Sequence, residues 1–231
     1  MMNTCLFDLD GTLLPMDQEE FTKLYFAALA KRFEKQYDVK TLINTVWAGT
    51  KAMVANDGTD TNENVFWKCA KKLMGLDKSV CEAEFLNFYE TDFSMARGAT
   101  AARPEIIRCV HRLKEKGYTI VAATNPLFPH VATRNRLLWA GFNPSDFDYI
   151  TTYENSSFCK PDIGYYKELL KKLNRTPKDC IMVGNDNQED MCAEQLGMQG
   201  YLITDCLINR DNAPITCHWH GSFNEFAALE L

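Results

Sequence analysis

Apolar positions along the chain follow two alternating rhythms. Short, nearly continuous apolar runs occupy Thr4–Asp10, Tyr118–Thr124, Asp148–Thr152, Cys180–Val183 and Tyr201–Thr204, each bounded by turn-forming residues. Between them, apolar residues recur at helical spacing. Ile106, Ile107, Val110 and Leu113 run up to Gly117. Tyr166, Leu169, Leu170 and Leu173 follow Pro161, a residue suited to the first turn of a helix. Strands alternating with helices predict an α/β fold, with a parallel sheet covered by helices on both faces.

Residues 15–98 break that alternation. Phe21, Leu24, Tyr25, Ala28 and Leu29 form one helical stripe, Val65, Cys69, Leu73 and Met74 a second, and Phe85, Phe88 and Tyr89 a third, with no strand-like run between them. The pattern predicts an all-helical insertion, entered near Leu14-Pro15 and left near Gly98-Ala99-Thr100. The core would then comprise residues 1–14 and 99–231, and residues 15–98 a cap joined to it only through Leu14–Met16 and Gly98–Arg103. Phe85, Phe88 and Tyr89 read as interior of that cap. The polar stretch Asn56–Asn62 reads as a solvated turn between two helices, or as a loop reaching toward a ligand.

Composition narrows the function. Apolar residues make up 46% of the 231-residue chain and charged residues 24%, as in an ordinary soluble domain. The net charge is −6, with both signs mixed along the chain, so there is no basic face for nucleic acid and any anion site must be local. Nine cysteines, an odd number at irregular spacings without a CxxC pair, predict free thiols and a reducing, cytoplasmic setting. No apolar run approaches the roughly 18 residues of a membrane span.

Four polar clusters stand out, three where predicted strands end and one, at Lys160, after the loop Asn155–Cys159. Asp8 and Asp10 are two apart, so they project to one side with Leu6, while Cys5, Phe7 and Leu9 pack opposite. They read either as paired carboxylates at the ligand-binding end of a parallel sheet or as a solvated Asp-Gly turn completed by Gly11-Thr12. Thr124-Asn125 reads as an anion-binding turn or as a helix cap. Lys160, held before Pro161, is a phosphate partner or one basic residue among 25. Asp186–Asp190 reads as a metal-binding acidic loop or as an acidic helix start. Taken jointly and in this order, the clusters supply a nucleophile, anion donors, a cation and a metal site. His218 and His220 have a metal-ligand spacing but no completing ligand beyond Cys217, and read as part of an edge strand.

In these residues the chain resembles the haloacid dehalogenase superfamily over nearly its whole length. Asp8-Leu9-Asp10-Gly11-Thr12 matches the family's first motif, Thr124 the second, Lys160-Pro161 the third, and Asp186 with Asp190 the fourth. The insertion is similar to the helical type 1 cap of the phosphoglycolate-phosphatase-like members. The resemblance implies a Rossmann-like core and a Mg²⁺-dependent phosphatase acting on a small phosphorylated metabolite. Asp8 would be the nucleophile, forming an aspartyl-phosphate, and Asp10 the general acid and base. Thr124, Asn125 and Lys160 would hold the phosphoryl oxygens, and Asp8, Asp10 (through its carbonyl) and Asp186 the metal, with Gly11, Thr12 and Asp190 in support. One departure stands out: the family usually places an acid directly after the motif-four glycine, whereas Asn185 follows Gly184 here, and a shifted frame would use Glu189 in place of Asp190. The resemblance also implies that members displacing halide typically have a residue other than aspartate at the position of Asp10, so Asp10 favours phosphate chemistry. A phosphomutase of the same fold, a phosphoryl-accepting signalling receiver and an inactive binding module are the competing readings.

Overall fold

The computed structural model describes residues 2–229. Six parallel strands form one sheet in the order β3-β2-β1-β4-β5-β6, with β1 at Thr4–Phe7, β2 at Thr119–Ala122, β3 at Tyr149–Ile150, β4 at Cys180–Gly184, β5 at Gln199–Ile203 and β6 at Trp219–Gly221. Five of these lie within or overlap the predicted runs, and β6 is the edge strand that contains His220. Leu6 pairs in register with Val121 on one side and Met182 on the other, which places β1 centrally between β2 and β4. Strand order reverses about β1, the kind of crevice where open α/β sheets bind ligands.

Both faces of β1 are dry. Leu6 packs with Val121, Tyr166, Met182 and Leu202 on one face. Cys5, Phe7 and Leu9 join Ile120, Ile181, Val183 and Phe226 on the other, as strand alternation requires. The helices that cover the sheet are α5 (Pro104–Glu115), α6 (His130–Trp139), α7 (Ile163–Leu173) and α8 (Phe223–Ala227). Asp162 caps α7 by accepting from the Gly164 N–H at 2.6 Å, so Pro161 lies outside the helix and not in its first turn. The nine cysteines are all free, and no helix among the described residues is long and apolar enough to cross a membrane.

The insertion after β1 is entirely helical: α1 (Gln18–Phe33), α2 (Val39–Val54), α3 (Asn62–Met74), α4 (Lys78–Glu90) and a 3₁₀ segment at Asp92–Ala99. Asp17, Asp38, Thr61 and Asp77 each accept a backbone N–H at a helix start, which explains the four boundaries. Periodicity alone did not outline α2, because Thr41, Thr45, Gly49 and Thr50 dilute its apolar stripe of Leu42, Val46 and Met53. The two chain crossings run side by side. The Asp17 N–H donates to the Ala99 carbonyl at 3.0 Å, and the Ala101 N–H to the Pro15 carbonyl at 3.0 Å.

The insertion also touches the core away from those crossings, contrary to the expectation that only the linkers join them. Asn62, wholly buried, donates through Nδ2 to the Pro126 carbonyl at 3.2 Å and the Phe158 carbonyl at 3.3 Å, and its N–H donates to the Ser156 carbonyl at 2.8 Å. On the other flank Arg134 pairs with Glu90, and Asn135 Nδ2 donates to the Tyr89 carbonyl at 2.8 Å. The stretch Asn56–Asn62 is therefore neither a free turn nor a ligand-reaching loop. Asn56 Nδ2 donates to Asn62 Oδ1 at 2.8 Å, and Asn62 docks the insertion onto the core.

Candidate active site

Three neighbouring strand ends converge on one place. The Asp8 N–H continues the ladder to the Val183 carbonyl at 2.9 Å, and the Ala123 N–H donates to the Phe7 carbonyl at 2.7 Å. Asp8, Thr124 and Asn185 thus leave β1, β2 and β4 at the same level. The turn after Asp8 folds back, with the Leu14 N–H donating to the Leu9 carbonyl at 2.8 Å. Gly11 sits at φ +89°, where a side chain would be strained and would also run into Asn185. Asn185 is buried and accepts from Thr12 Oγ1 at 3.0 Å while donating to the Cys206 carbonyl at 2.7 Å. The amide that departs from the family pattern is a clamp between the first and fourth motifs, and both of its ends are used.

Lys160 is almost wholly buried, and its ammonium donates to Asp8 Oδ1 at 3.0 Å and Asp190 Oδ1 at 2.7 Å. Burial would lower the Lys160 pKa, but the Asp190 and Asp8 carboxylates more than offset it and hold the ammonium charged well above its ordinary range. Asp190 Oδ2 accepts from the Asp186 N–H at 2.9 Å, and a side chain on Gly184 would collide with that carboxylate. Glu189, the alternative acid, instead accepts from Asn125 Nδ2 at 2.9 Å. Asn125 also grips the Lys160 backbone, accepting from its N–H at 3.2 Å and donating to its carbonyl at 3.3 Å. Its side chain therefore positions Lys160, so any contact with an anion would come after that task. The Thr124 carbonyl is tied down from behind by Thr151 Oγ1 at 2.7 Å and the Tyr165 hydroxyl at 3.1 Å.

The two leading carboxylates have different surroundings. Burial pushes the Asp8 carboxyl up to about 8, opposed by the Lys160 charge and reinforced by Asp190 and Asp10. Asp10 is raised too, by burial, with Arg136 and then Lys160 opposing. Arg136, which sequence reasoning missed, is wholly buried, pairs with Asp10 Oδ2 and lies 4.4 Å from the Phe128 ring centroid. It stands two residues from the partly exposed Arg134 on an interrupted helical stripe, and nothing in its local pattern marks it as interior. Arg210, also missed, is half-exposed and reaches back to Asp186 Oδ2 at 2.8 Å and Glu189 Oε1 at 3.1 Å.

The chemistry of this set suits a small divalent cation. Five carboxyl groups (Asp8, Asp10, Asp186, Glu189 and Asp190) face three cationic groups (Lys160, Arg136 and Arg210). Burial disfavours the charged forms of Asp8 and Asp10, which a divalent cation would restore. Asp10 Oδ1 is buried and has no hydrogen-bond partner among the described residues. Among those residues no three His, Cys, Asp or Glu side chains gather into a preformed cage. Two carboxylates and a carbonyl remain, a set adequate for Mg²⁺, which usually keeps several waters. His218 lies on the sheet edge and is tied to Glu194 at 2.5 Å.

Above this floor opens a cavity of about 500 Å³. Asp8, Asp10, Thr124, Asn125, Asp186 and Asp190 line its base, so six of the sequence-predicted residues share one chamber. Lys160 supports them from beneath. Phe88 and Phe85 are interior to the insertion, as expected, although Phe85 also borders the chamber, whereas Tyr89 is only partly buried and lines it.

The family model described as haloacid dehalogenase-like hydrolase matches residues 2–193. The chain belongs to this family. The hydrolase is 24% identical over 205 residues to the glyceraldehyde 3-phosphate phosphatase of Methanothermobacter thermautotrophicus, covering 88% of this chain and 86% of that protein. Among solved structures, the HAD phosphatase from Thermococcus onnurineus aligns with a TM-score of 0.59 at 20% identity, over 97% of this chain and 96% of that one. The 2-haloacid dehalogenase from Pseudomonas syringae pv. Tomato aligns with a TM-score of 0.60 at 19% identity, over 95% and 94%. Likeness to both chemistries at such identities establishes the shared fold, and the distinction between them rests on the site.

Proposed function

We propose that this hydrolase is a Mg²⁺-dependent phosphatase that releases phosphate from a small phosphorylated metabolite through an aspartyl-phosphate on Asp8. The observation that carries the reading is the second carboxylate, Asp10, half-buried near Asp8 and paired with the wholly buried Arg136. Displacing halide needs no proton, whereas expelling an alkoxide does.

In the first step an Asp8 oxygen forms a bond to phosphorus as the bond to the leaving oxygen breaks, and Asp10 delivers its proton to that oxygen. In the second, Asp10 takes a proton from water while the water oxygen bonds to phosphorus and the bond to Asp8 breaks. Division into two displacements lowers each barrier. Lys160 opposes the burial that raises Asp8 and so favours its ionised, attacking form. It would also neutralise charge on the phosphoryl oxygens, to which Thr124 would donate, since such transfer depends mainly on position and charge. Mg²⁺, held by Asp8, Asp186 and the Asp10 carbonyl, would supply further charge neutralisation between nucleophile and phosphate. Asp190 holds Lys160 in place.

A turnover assay with acetyl phosphate, which is small and lacks a ring, tests the reaction class. Chelation should abolish phosphate release and Mg²⁺ restore it, and Asp186→Ala should raise the Mg²⁺ concentration giving half-maximal rate. An unchanged concentration would remove Asp186 from the metal set. The phosphomutase reading predicts transfer to a second hydroxyl of a sugar phosphate without release of phosphate, and the same assay separates it.

A further inference from the structure

The chamber above Asp8 is built unevenly. Its base holds the reacting groups and nearly all the charge, while its upper wall comes from the four inserted helices and is dominated by rings. Tyr25 and Phe26 come from α1, Trp47 from α2, Phe66 from α3 and Phe85 from α4, with Phe128 facing them from the core. These rings brace one another. Phe26 lies 5.2 Å from Trp47, and Tyr25 meets Phe128 edge-on at 5.7 Å. Rings such as Phe33 and Phe88, by contrast, are wholly buried and form the interior proper.

What the wall omits is equally informative. Among the described residues, the inserted helices bring one charged side chain to the lining, Glu82, although Lys and Arg are plentiful in them. A leaving group bearing a carboxylate or a second phosphate would find no cation on that wall and would meet Glu82, while Arg210, the cation in the chamber lining, is already paired with Asp186 and Glu189. A polyol would set most of its hydroxyls against ring faces, because the wall's neutral polar groups are few and scattered (Gln18, Thr22, Thr50 and the Tyr25 and Tyr89 hydroxyls), and would lose more water bonds than it replaced. A two- or three-carbon fragment would also leave most of a 500 Å³ chamber unfilled, with the apolar wall still wet. A flat, uncharged ring satisfies all three constraints, since aromatic pairs gain from stacked and edge-on contact beyond their buried area.

Resting on the phosphatase reading above, we propose that the natural substrate is a monophosphate ester whose leaving alcohol carries an uncharged aromatic ring system. The ring seats against Phe26, Trp47 and Phe66, and the ester oxygen faces Asp10. The Tyr25 and Tyr89 hydroxyls, 3.1 Å apart, offer the wall's paired neutral hydrogen-bonding handle for a ring heteroatom.

Two probe esters with leaving alcohols of similar basicity isolate the ring's contribution: (1-naphthyl)methyl phosphate and propyl phosphate. A third, 2-phosphoglycolate, tests the charge argument. The wild-type enzyme with Mg²⁺ should show kcat/KM for the naphthyl ester at least about tenfold above that for propyl phosphate, the scale that a modest apolar contact yields in specificity. 2-Phosphoglycolate should be the poorest of the three. Trp47→Ala, a change at a half-exposed position, should lower the naphthyl-to-propyl ratio by about 3- to 10-fold, the kinetic equivalent of one aromatic contact. Hydrolysis of all three esters without aromatic preference, or a ratio indifferent to Trp47→Ala, would overturn the proposal and leave the phosphatase reading standing. Hydrolysis of none would overturn the phosphatase reading and the leaving-group assignment with it.

Discussion

Arg136 brings a permanent charge into a position with no water, between the Asp10 carboxylate and the Phe128 ring. A buried pair of this kind contributes little net stability when intact, but losing one partner strands the other. Arg136→Ala should therefore destabilise the fold by about 3–5 kcal/mol in urea denaturation. Adding Asp10→Ala to that variant should cost less than the sum of the single changes, because the stranded carboxylate is gone. Strict additivity would show that the two side chains do not interact. Gly184 is a second single-atom constraint. Gly184→Ala would push a methyl into the Asp190 carboxylate and so displace the Lys160 ammonium that Asp190 holds. Turnover should fall by about 10²-fold, the scale of a small misplacement of reacting groups, while circular dichroism stays native. Full activity in that variant would mean that the contact yields without disturbing Lys160.

Each inserted helix begins at an acid or a threonine that accepts a backbone N–H, and α4 shows how this couples to pH. The Asp77 carboxyl is drawn down to about 2, chiefly by Lys71 and then by Ser79. A carboxylate whose folded value lies below its ordinary one contributes stability at higher pH and loses it as pH falls through the folded value. The melting temperature of Asp77→Asn should therefore sit slightly below wild type near neutrality, and the two should converge toward about pH 2. A gap that persists there would assign the effect to something other than charge. Asn62 carries a heavier load at the start of α3. Asn62→Ala should cost about 1–3 kcal/mol, the penalty for abandoned buried partners, and should raise hydrogen exchange at the Glu63 amide, which donates to the Tyr153 carbonyl. Protection unchanged at Glu63 would show that this docking does not depend on the side chain. Elements of this kind divide by legibility. Buried strands announce themselves as apolar runs, and the clusters at Asp8, Thr124 and Asp186 stand just beyond their ends, with Lys160 in the loop that follows β3, so the parallel core and most of the chamber floor are readable in one dimension. Helix α2 hides because threonines and a glycine interrupt its stripe. Arg136 and Arg210 hide because a charge turned inward has the same letter as one turned outward, and only the fold brings each to its carboxylate.

At the scale of the whole molecule, a charged core and an aromatic insertion meet at one chamber, and the two chain crossings pair side by side at Pro15–Asp17 and Ala99–Ala101. We take residues 1–14 with 99–231 as the catalytic core and 15–98 as the cap. Paired linkers permit hinge motion of such a cap, while the Asn62 dock and the Tyr89–Asn135 contact tie it to the core. One continuous apolar cluster, from Phe7 through Phe93 to Trp139, spans both parts, so removing the cap would expose core rings and is no clean test of where specificity lies. The chemistry can be tested without disturbing either part. An ester labelled in its phosphoryl group is mixed with enzyme and Mg²⁺, quenched in acid within one turnover, and the label is located by peptide mass spectrometry. The label should appear on the peptide containing Asp8 and vanish with turnover in Asp8→Asn, whose neutral amide cannot attack phosphorus. Label on another residue, or sustained phosphate release by Asp8→Asn, would contradict the assignment of Asp8 as the nucleophile.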